Sequence, residues 1–319
     1  MISYNLILLF LGLCLVIKGA DILVTCSISL GKKLGLSELI IGIAIIGFGT
    51  SLPELLVSVD AILNNAPELS LGNILGSNIA NIFLVLGFAS LIKKIKLQRI
   101  EKFDNYFHVL SHILFFLAFL FLKINLFFGF VFLSLFSLYL LLSFKKAKNN
   151  KNNIVIDNNK LGLLCLKKPY AIGLPCIFLS IITTLFGAQL TVDTSIAISI
   201  YLGVSESFIG LTIIAIGTSL PEIATGISAA KRGRVNLIVG NILGSNIYNL
   251  LLILGFVSLF ESFTYDKLNL LSEVFILILS VLLFWYLTHK KKLINWKYAI
   301  FFLVVYIFYL LNLFSKNFI

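Results

Sequence analysis

The chain has 319 residues, of which 59% are hydrophobic and 12% charged, about half the ~25% charge content of soluble chains, and its mean hydropathy is +1.05. A soluble globule of this size needs far more polar surface, so the composition excludes soluble, disordered, collagen-like and disulfide-stapled secreted folds. The net charge of +11 need not mean nucleic acid, because in a membrane chain excess Lys and Arg belong first to the cytoplasmic loops.

Crossing ~30 Å of hydrocarbon takes roughly 20 apolar residues. In chain order the sequence predicts ten such spans, at about 5–30, 37–63, 69–92, 106–122, 126–144, 170–198, 206–230, 236–259, 270–288 and 298–314. The first lacks a basic leader and is followed by more membrane, so it reads as a span and not as a cleaved signal. Alternate loops hold 21 of the 25 basic residues, against three (Lys123, Lys267, Lys316) on the other side. That asymmetry predicts both termini outside the cytoplasm. Residues 145–168 form a cytoplasmic linker rich in Lys and Asn, expected to be mobile and too short for a folded regulatory domain.

The linker separates two related halves, 1–144 and 169–319. At a shift of 168, FGTSLPE (48–54) lies over IGTSLPE (216–222), and GNILGSNIAN (72–81) over GNILGSNIYN (240–249). Residues 35–88 and 203–256 share 28 identities in 54 positions without a gap, which marks a duplication. Five spans per half is an odd number, so the second copy enters the membrane upside down. The predicted fold is an all-α integral membrane protein: ten transmembrane helices as two inverted five-helix repeats, with broken helices at a central ion site. Inverted repeats are a mark of secondary transporters, whose sites lie where the halves meet.

Acidic residues within spans are few: Asp21, Glu54, Asp60, Asp193 and Glu222. Glu54 and Glu222 are repeat mates near mid-span, where an ionisable group costs at least ~2.5–3.5 kcal/mol and needs a polar cavity or a partner. No Lys or Arg stands at matching depth in their spans, so a cation or protons must keep the two apart. Pro53 and Pro221 remove the N–H partners of the Gly49 and Gly217 carbonyls. The helices should break there, turning carbonyls and the Thr50, Ser51, Thr218 and Ser219 hydroxyls toward the carboxylates. On the third and eighth spans, Asn73, Ser77 and Asn81, and their mates Asn241, Ser245 and Asn249, recur at i, i+4, i+8 on one face. Ser77, Asn81, Ser245 and Asn249 are read as ligands; Asn78 and Asn246 read equally well as hydrogen-bond glue between helices. Gly72 with Gly76, and Gly240 with Gly244, permit close helix packing. The set is all oxygen, which suits hard cations such as Ca²⁺ and Na⁺. Two ionised carboxylates match one divalent ion or two or more monovalent ones, a charge count suited to exchange.

Other polar residues carry simpler readings. Lys18 and Asp21, three apart in the first span, form a local ion pair, while Asp60 and Asp193 are solvated at span ends. His108 and His112 have the spacing of a zinc face but lack a third ligand, and are read as interfacial. The four cysteines show no metal-type spacing and are read as buried or interfacial thiols. A passive channel would need a continuous polar pore, whereas the polar clusters here lie only at mid-depth. A membrane enzyme would need a nucleophile–base set or a metal triad that the chain lacks.

The GTSLPE and GNILGSN pairs resemble the two α-repeats of the Ca²⁺/cation antiporter superfamily, most closely the prokaryotic-type sodium/calcium exchangers. With the ten-span pattern, the resemblance covers most of the chain. It implies a non-enzymatic Na⁺-driven Ca²⁺ antiporter with four central ion sites, no cofactor and no nucleic-acid partner, functional as a monomer in the cell membrane. The ion ligands it implies are Thr50, Ser51, Glu54, Thr218, Ser219, Glu222, Ser77, Ser245, Asn81 and Asn249, with the carbonyls of Gly47 and Ala215. It also implies that the first and sixth spans slide as a gating bundle across the other eight. Where K⁺-dependent relatives carry Asp, Asn249 stands here, which weighs against K⁺ co-transport. The alternative on the same fold is a Ca²⁺/H⁺ antiporter, whose GN motif typically carries acids that GNILGSN lacks.

Overall fold

A computed structural model describes residues 2–97, 102–120, 123–149, 160–202, 215–260, 263–264, 267–290 and 292–316. The described chain is almost wholly helical. The first half runs α1 (Ile2–Leu34), α2 (Glu38–Thr50), α3 (Leu52–Leu63), α4 (Pro67–Ile92), α5 (Lys102–Leu120) and α6 (Leu126–Asn149). After the linker come α7 (Lys160–Lys167), α8 (Pro169–Tyr201), α9 (Ala215–Thr218), α10 (Leu220–Lys231), α11 (Val235–Val257), α12 (Lys267–His289) and α13 (Trp296–Lys316).

Among the described residues, eight helices are long and apolar enough to cross a membrane, and α2 with α3 makes a ninth segment bent by 42°. The seventh expected span begins in residues 203–214, outside the described residues, and continues through α9 and α10. Its partial counterpart is visible: a shift of 168 carries the bounds of α3 onto those of α10 and the start of α4 onto that of α11. The register persists in the backbone. Ser51 (φ −84°, ψ 6°) and Ser219 (φ −88°, ψ 2°) interrupt their helices alike. The turns that follow place Asn65 (φ 56°) and Gly233 (φ 69°) in the left-handed region, where Gly and Asn are the tolerated residues.

The centre of the molecule is the pair α4 and α11, whose spanning stretches are 83% and 94% buried, against 33% for α1 and α8. Leu71, Ile74, Leu75 and Ile79 of α4 and Leu237, Ile238, Ile242 and Leu243 of α11 anchor the main apolar core. Hydrocarbon outside is as apolar as this core, so close van der Waals packing, and not water exclusion, must hold the helices together. Gly42 shows how: a methyl group there would sit 2.7 Å from the Leu237 carbonyl and 2.9 Å from Gly240 Cα, so α2 crosses α11 backbone to backbone. Gly244 makes the same approach to Ile43, as the glycine spacing predicts. By the shift of 168, the matching partner positions for Gly72 and Gly76 are 207–211, which lie outside the described residues.

α1 and α8 lie against each other along their length at the edge of this core, turning Phe10, Ile17, Phe178 and Phe186 outward. Two short antiparallel ribbons join loops from different halves: β1 (Ile95–Lys96) pairs with β4 (Leu293–Ile294), and β2 (Lys123–Ile124) with β3 (Phe263–Thr264). The linker is more ordered at its end than its composition predicts. α7 packs Gly162 and Cys165 inward, and Ser29 of α1 donates to the Gly162 carbonyl at 3.0 Å.

Candidate ion-binding site

The two helix breaks face the α4–α11 pair. Pro53 and Pro221 lie in the first turns of α3 and α10, where a missing N–H costs least for the following helix but takes the helical donor from the carbonyl four residues earlier, that of Gly49 or Gly217. Each break is fastened to the neighbouring long helix by a repeated asparagine. Asn73 donates to the Glu54 carbonyl (3.1 Å) and to Ser58 (3.0 Å), and Asn241 to the Glu222 carbonyl (3.4 Å) and to Thr225 (3.1 Å). The halves also meet directly, since the Thr50 hydroxyl is 3.3 Å from Asn241 Oδ1.

Within this frame Glu54 is 0% and Glu222 1% exposed. Ser77 faces the Glu54 carboxylate, Thr50 and Ser245 face that of Glu222, and the two carboxylates lie within coulombic reach of each other. None of their four oxygens has a hydrogen-bond partner of normal geometry among the described residues. The same holds for Ser51 Oγ, Ser219 Oγ, Ser245 Oγ, Asn81 Oδ1 and Asn249 Oδ1. Burying one unpaired polar atom costs roughly 1–3 kcal/mol and a charged one more. Nine such oxygens, all from residues that the sequence singled out, define a site short of positive charge.

The orientation of the two ligand asparagines follows from a pair of cross-links. Asn81 Nδ2 donates to Asn246 Oδ1, and Asn249 Nδ2 to Asn78 Oδ1, both at 3.1 Å. Each link runs from one half to the other, occupies the amide nitrogen and leaves the amide oxygen unpartnered. Asn78 and Asn246 are therefore the glue that one reading of the sequence made them, and also aim the neighbouring oxygens. The remaining expected residues differ in kind. Gly47 contributes a carbonyl already accepting from Ser51 N (3.1 Å) and Thr50 Oγ1 (3.4 Å). Thr218 is half-buried at the end of α9, which Ala215 begins.

Two expectations are corrected here. His108 and His112 are not interfacial: both are buried, and His108 Nε2 lies 3.3 Å from Asn246 Nδ2, beside the cross-link. Nothing in their i, i+4 spacing pointed to that contact, which depends on α5 packing against α11. Asp21 does not pair with Lys18. It meets Arg232, beyond α10, at 2.6 Å, while Ser228 donates to it at 3.1 Å and Arg232 to Thr25 at 2.9 Å. A helix neighbour three residues away is outcompeted by a guanidinium fork offered from another helix. The cysteines are buried or half-buried free thiols, as expected, and those at 26, 165 and 176, far apart in sequence, also meet in space. Asp60 and Asp193 are exposed, as expected.

Comparison with known proteins agrees with this frame. The family described as "Sodium/calcium exchanger protein" matches residues 4–145 and 172–315. The chain is 30% identical to the sodium/calcium exchanger MaX1 of Methanosarcina acetivorans, covering 98% of this chain and 99% of that one. It is 33% identical to the inner membrane protein YrbG of Escherichia coli over 89% of each chain. Among solved structures, the sodium-calcium exchanger NCX_Mj soaked with zero Na⁺ and Ca²⁺ superposes with a TM-score of 0.80 at 30% identity, covering 98% of this chain and all of that one. The chain belongs to the sodium/calcium exchanger family, a family of membrane transporters.

Proposed function

We propose that this chain is a secondary antiporter that exchanges Na⁺ for Ca²⁺ across the cell membrane by alternating access. The observation that carries the reading is the set of nine buried, unpartnered oxygens, four of them carboxylate, borne by the two repeated helix breaks and by the α4–α11 pair that they face. Oxygen-only cages select hard cations over thiophilic metals. One Ca²⁺ or several Na⁺ would neutralise Glu54 and Glu222, so the ions compete for one ligand set. The ligands in this reading are Glu54, Glu222, Thr50, Ser51, Thr218, Ser219, Ser77, Ser245, Asn81 and Asn249, with the Gly47 and Ala215 carbonyls. A cation at Gly47 would displace the Thr50 hydroxyl from that carbonyl.

The architecture we infer with it is ten spans in two inverted repeats, 1–144 and 169–319, joined by the cytoplasmic linker 145–168, with both termini extracytoplasmic and the monomer as the working unit. α1 and α8, packed along each other at the edge of the core and 33% buried against 83% and 94% for α4 and α11, form the sliding pair. Their shallow contact with the core supports this, because a moving element must break few buried contacts.

The test is Ca²⁺ uptake into proteoliposomes carrying purified protein under an imposed Na⁺ gradient, with K⁺ and pH varied separately. Uptake should follow the Na⁺ gradient and ignore K⁺. Uptake driven by a pH gradient instead would establish the Ca²⁺/H⁺ alternative, and uptake indifferent to every gradient would establish a channel.

A further inference from the structure

Cys26, Cys165 and Cys176 lie far apart in the sequence and belong to three different helices, yet their Sγ atoms all fall within 4.8 Å of one another. Cys26 is on α1, Cys165 on α7 and Cys176 about two turns into α8. Cys26 and Cys165 are fully buried, with sulfurs 2.9 Å apart, and Cys176 is partly buried beside them. All three are free thiols. Leu23, Leu30 and Ile177 wall the cluster, and the Ser29–Gly162 hydrogen bond holds α7 in place over it.

A single buried cysteine is a small hydrophobe and needs no further account. Three sulfurs converging on one point from three helices supply what a soft cation requires. A thiolate–metal bond of about 2.3 Å sets sulfurs around a shared ion roughly 4 Å apart; the cluster falls within 4.8 Å, and the Cys26–Cys165 pair, at 2.9 Å, would open to admit the ion. Hard cations gain nothing from such a set, so the site is chemically orthogonal to the oxygen cage at the helix breaks. Lys32 and Lys33 close α1 and Lys167 closes α7, followed by Lys168, so the surrounding chain ends carry the positive charge that an anionic thiolate complex needs.

We propose that Cys26, Cys165 and Cys176 form a three-thiolate site for a soft d¹⁰ cation, Cu⁺ or Zn²⁺, clamping α7 onto the α1–α8 pair. As each sulfur–metal bond forms, the thiol releases its proton to solvent; no electrons are transferred. Three thiolates complete a trigonal shell for Cu⁺, whereas Zn²⁺ takes a water as its fourth ligand. In either case the linker's last turn becomes fixed to the two outer helices, which gives the chain a metal-responsive joint at one face.

The experiment loads purified full-length protein in separate arms with Cu⁺, under reductant and a competing Cu⁺ chelator, and with Zn²⁺. Bound metal is counted, and X-ray absorption identifies its ligands. The expected result is one ion per chain with three sulfur neighbours in at least one arm. That equivalent should be lost in the Cys26→Ser/Cys165→Ser/Cys176→Ser variant and kept in Cys14→Ser. Metal bound through oxygen or nitrogen alone overturns the proposal, as does equal binding by the triple variant or no binding in either arm. The sulfur count in wild-type protein decides the matter even if the triple variant fails to fold.

Discussion

A buried carboxylate faced by no more than a hydroxyl or two is tolerable only if a cation or a proton joins it, and here two such groups sit within reach of each other. Replacing either with an amide removes the charge that recruits the cation while keeping the shape. Glu54→Gln or Glu222→Gln should therefore lower Na⁺-driven Ca²⁺ uptake by roughly 100-fold or more, given the ~3–5 kcal/mol attached to breaking a buried charge pairing. Membrane insertion and thermal stability should be retained, and a fully active double variant would refute the ligand assignment. Asn246 has a milder part, holding Asn81 by its amide nitrogen. Asn246→Ala leaves that amide free to rotate, so the apparent affinity for Ca²⁺ should weaken about tenfold, in line with ~1–3 kcal/mol for an unmade buried hydrogen bond. The sequence identified the acids, hydroxyls and amides at this site because rare polar residues repeated in one register. It missed the His108 contact and the Asp21–Arg232 pair because these join helices that lie far apart in the chain, and no local spacing encodes which helix becomes a neighbour.

At the scale of elements, the helix breaks were the most legible feature, since a proline dictates its own consequence. Pro221→Ala would restore an N–H to bond the Gly217 carbonyl and favour a continuous helix by up to ~3 kcal/mol. Uptake should fall while the melting temperature holds or rises; unchanged uptake would mean that the break plays no part in the site. Close approach is the second element-level device. A methyl on Gly187 of α8 would sit 2.7 Å from Val16 N and 2.8 Å from the Gly12 carbonyl of α1. Gly187→Leu should force the two helices apart and cost about 1–3 kcal/mol, read as a lower melting temperature in detergent. What the pattern could not supply at this scale was α7, because a single eight-residue amphipathic turn in a Lys- and Asn-rich stretch has too short a period to stand out.

For the whole molecule, the two ribbons matter more than their size suggests. β1–β4 and β2–β3 each tie a loop of the first half to a loop of the second, so α4, α5, α6, α11, α12 and α13 are stitched into one body. α1 and α8 take part in neither ribbon. In the arrangement proposed above, the moving pair must slide against this body, and the Asp21–Arg232 ion pair fastens α1 to the turn that leads from α10 into α11. Asp21→Asn should loosen that fastening and raise amide hydrogen exchange in the stretch of α1 around Thr25, leaving α4 and α11 unaffected. Equal protection in the variant would show that the contact carries no restraint.

That fastening has no counterpart in the other half. The shift of 168 carries Asp21 to Gln189 and Arg232 to Asn64. Gln189 donates along its own helix to Asp193, and Asn64 bonds back to the Asp60 carbonyl. Two identical halves would leave the molecule indifferent to which side it faced, like a seesaw with equal riders. With a charged latch at one end and neutral, self-engaged amides at the other, the seesaw has a home position.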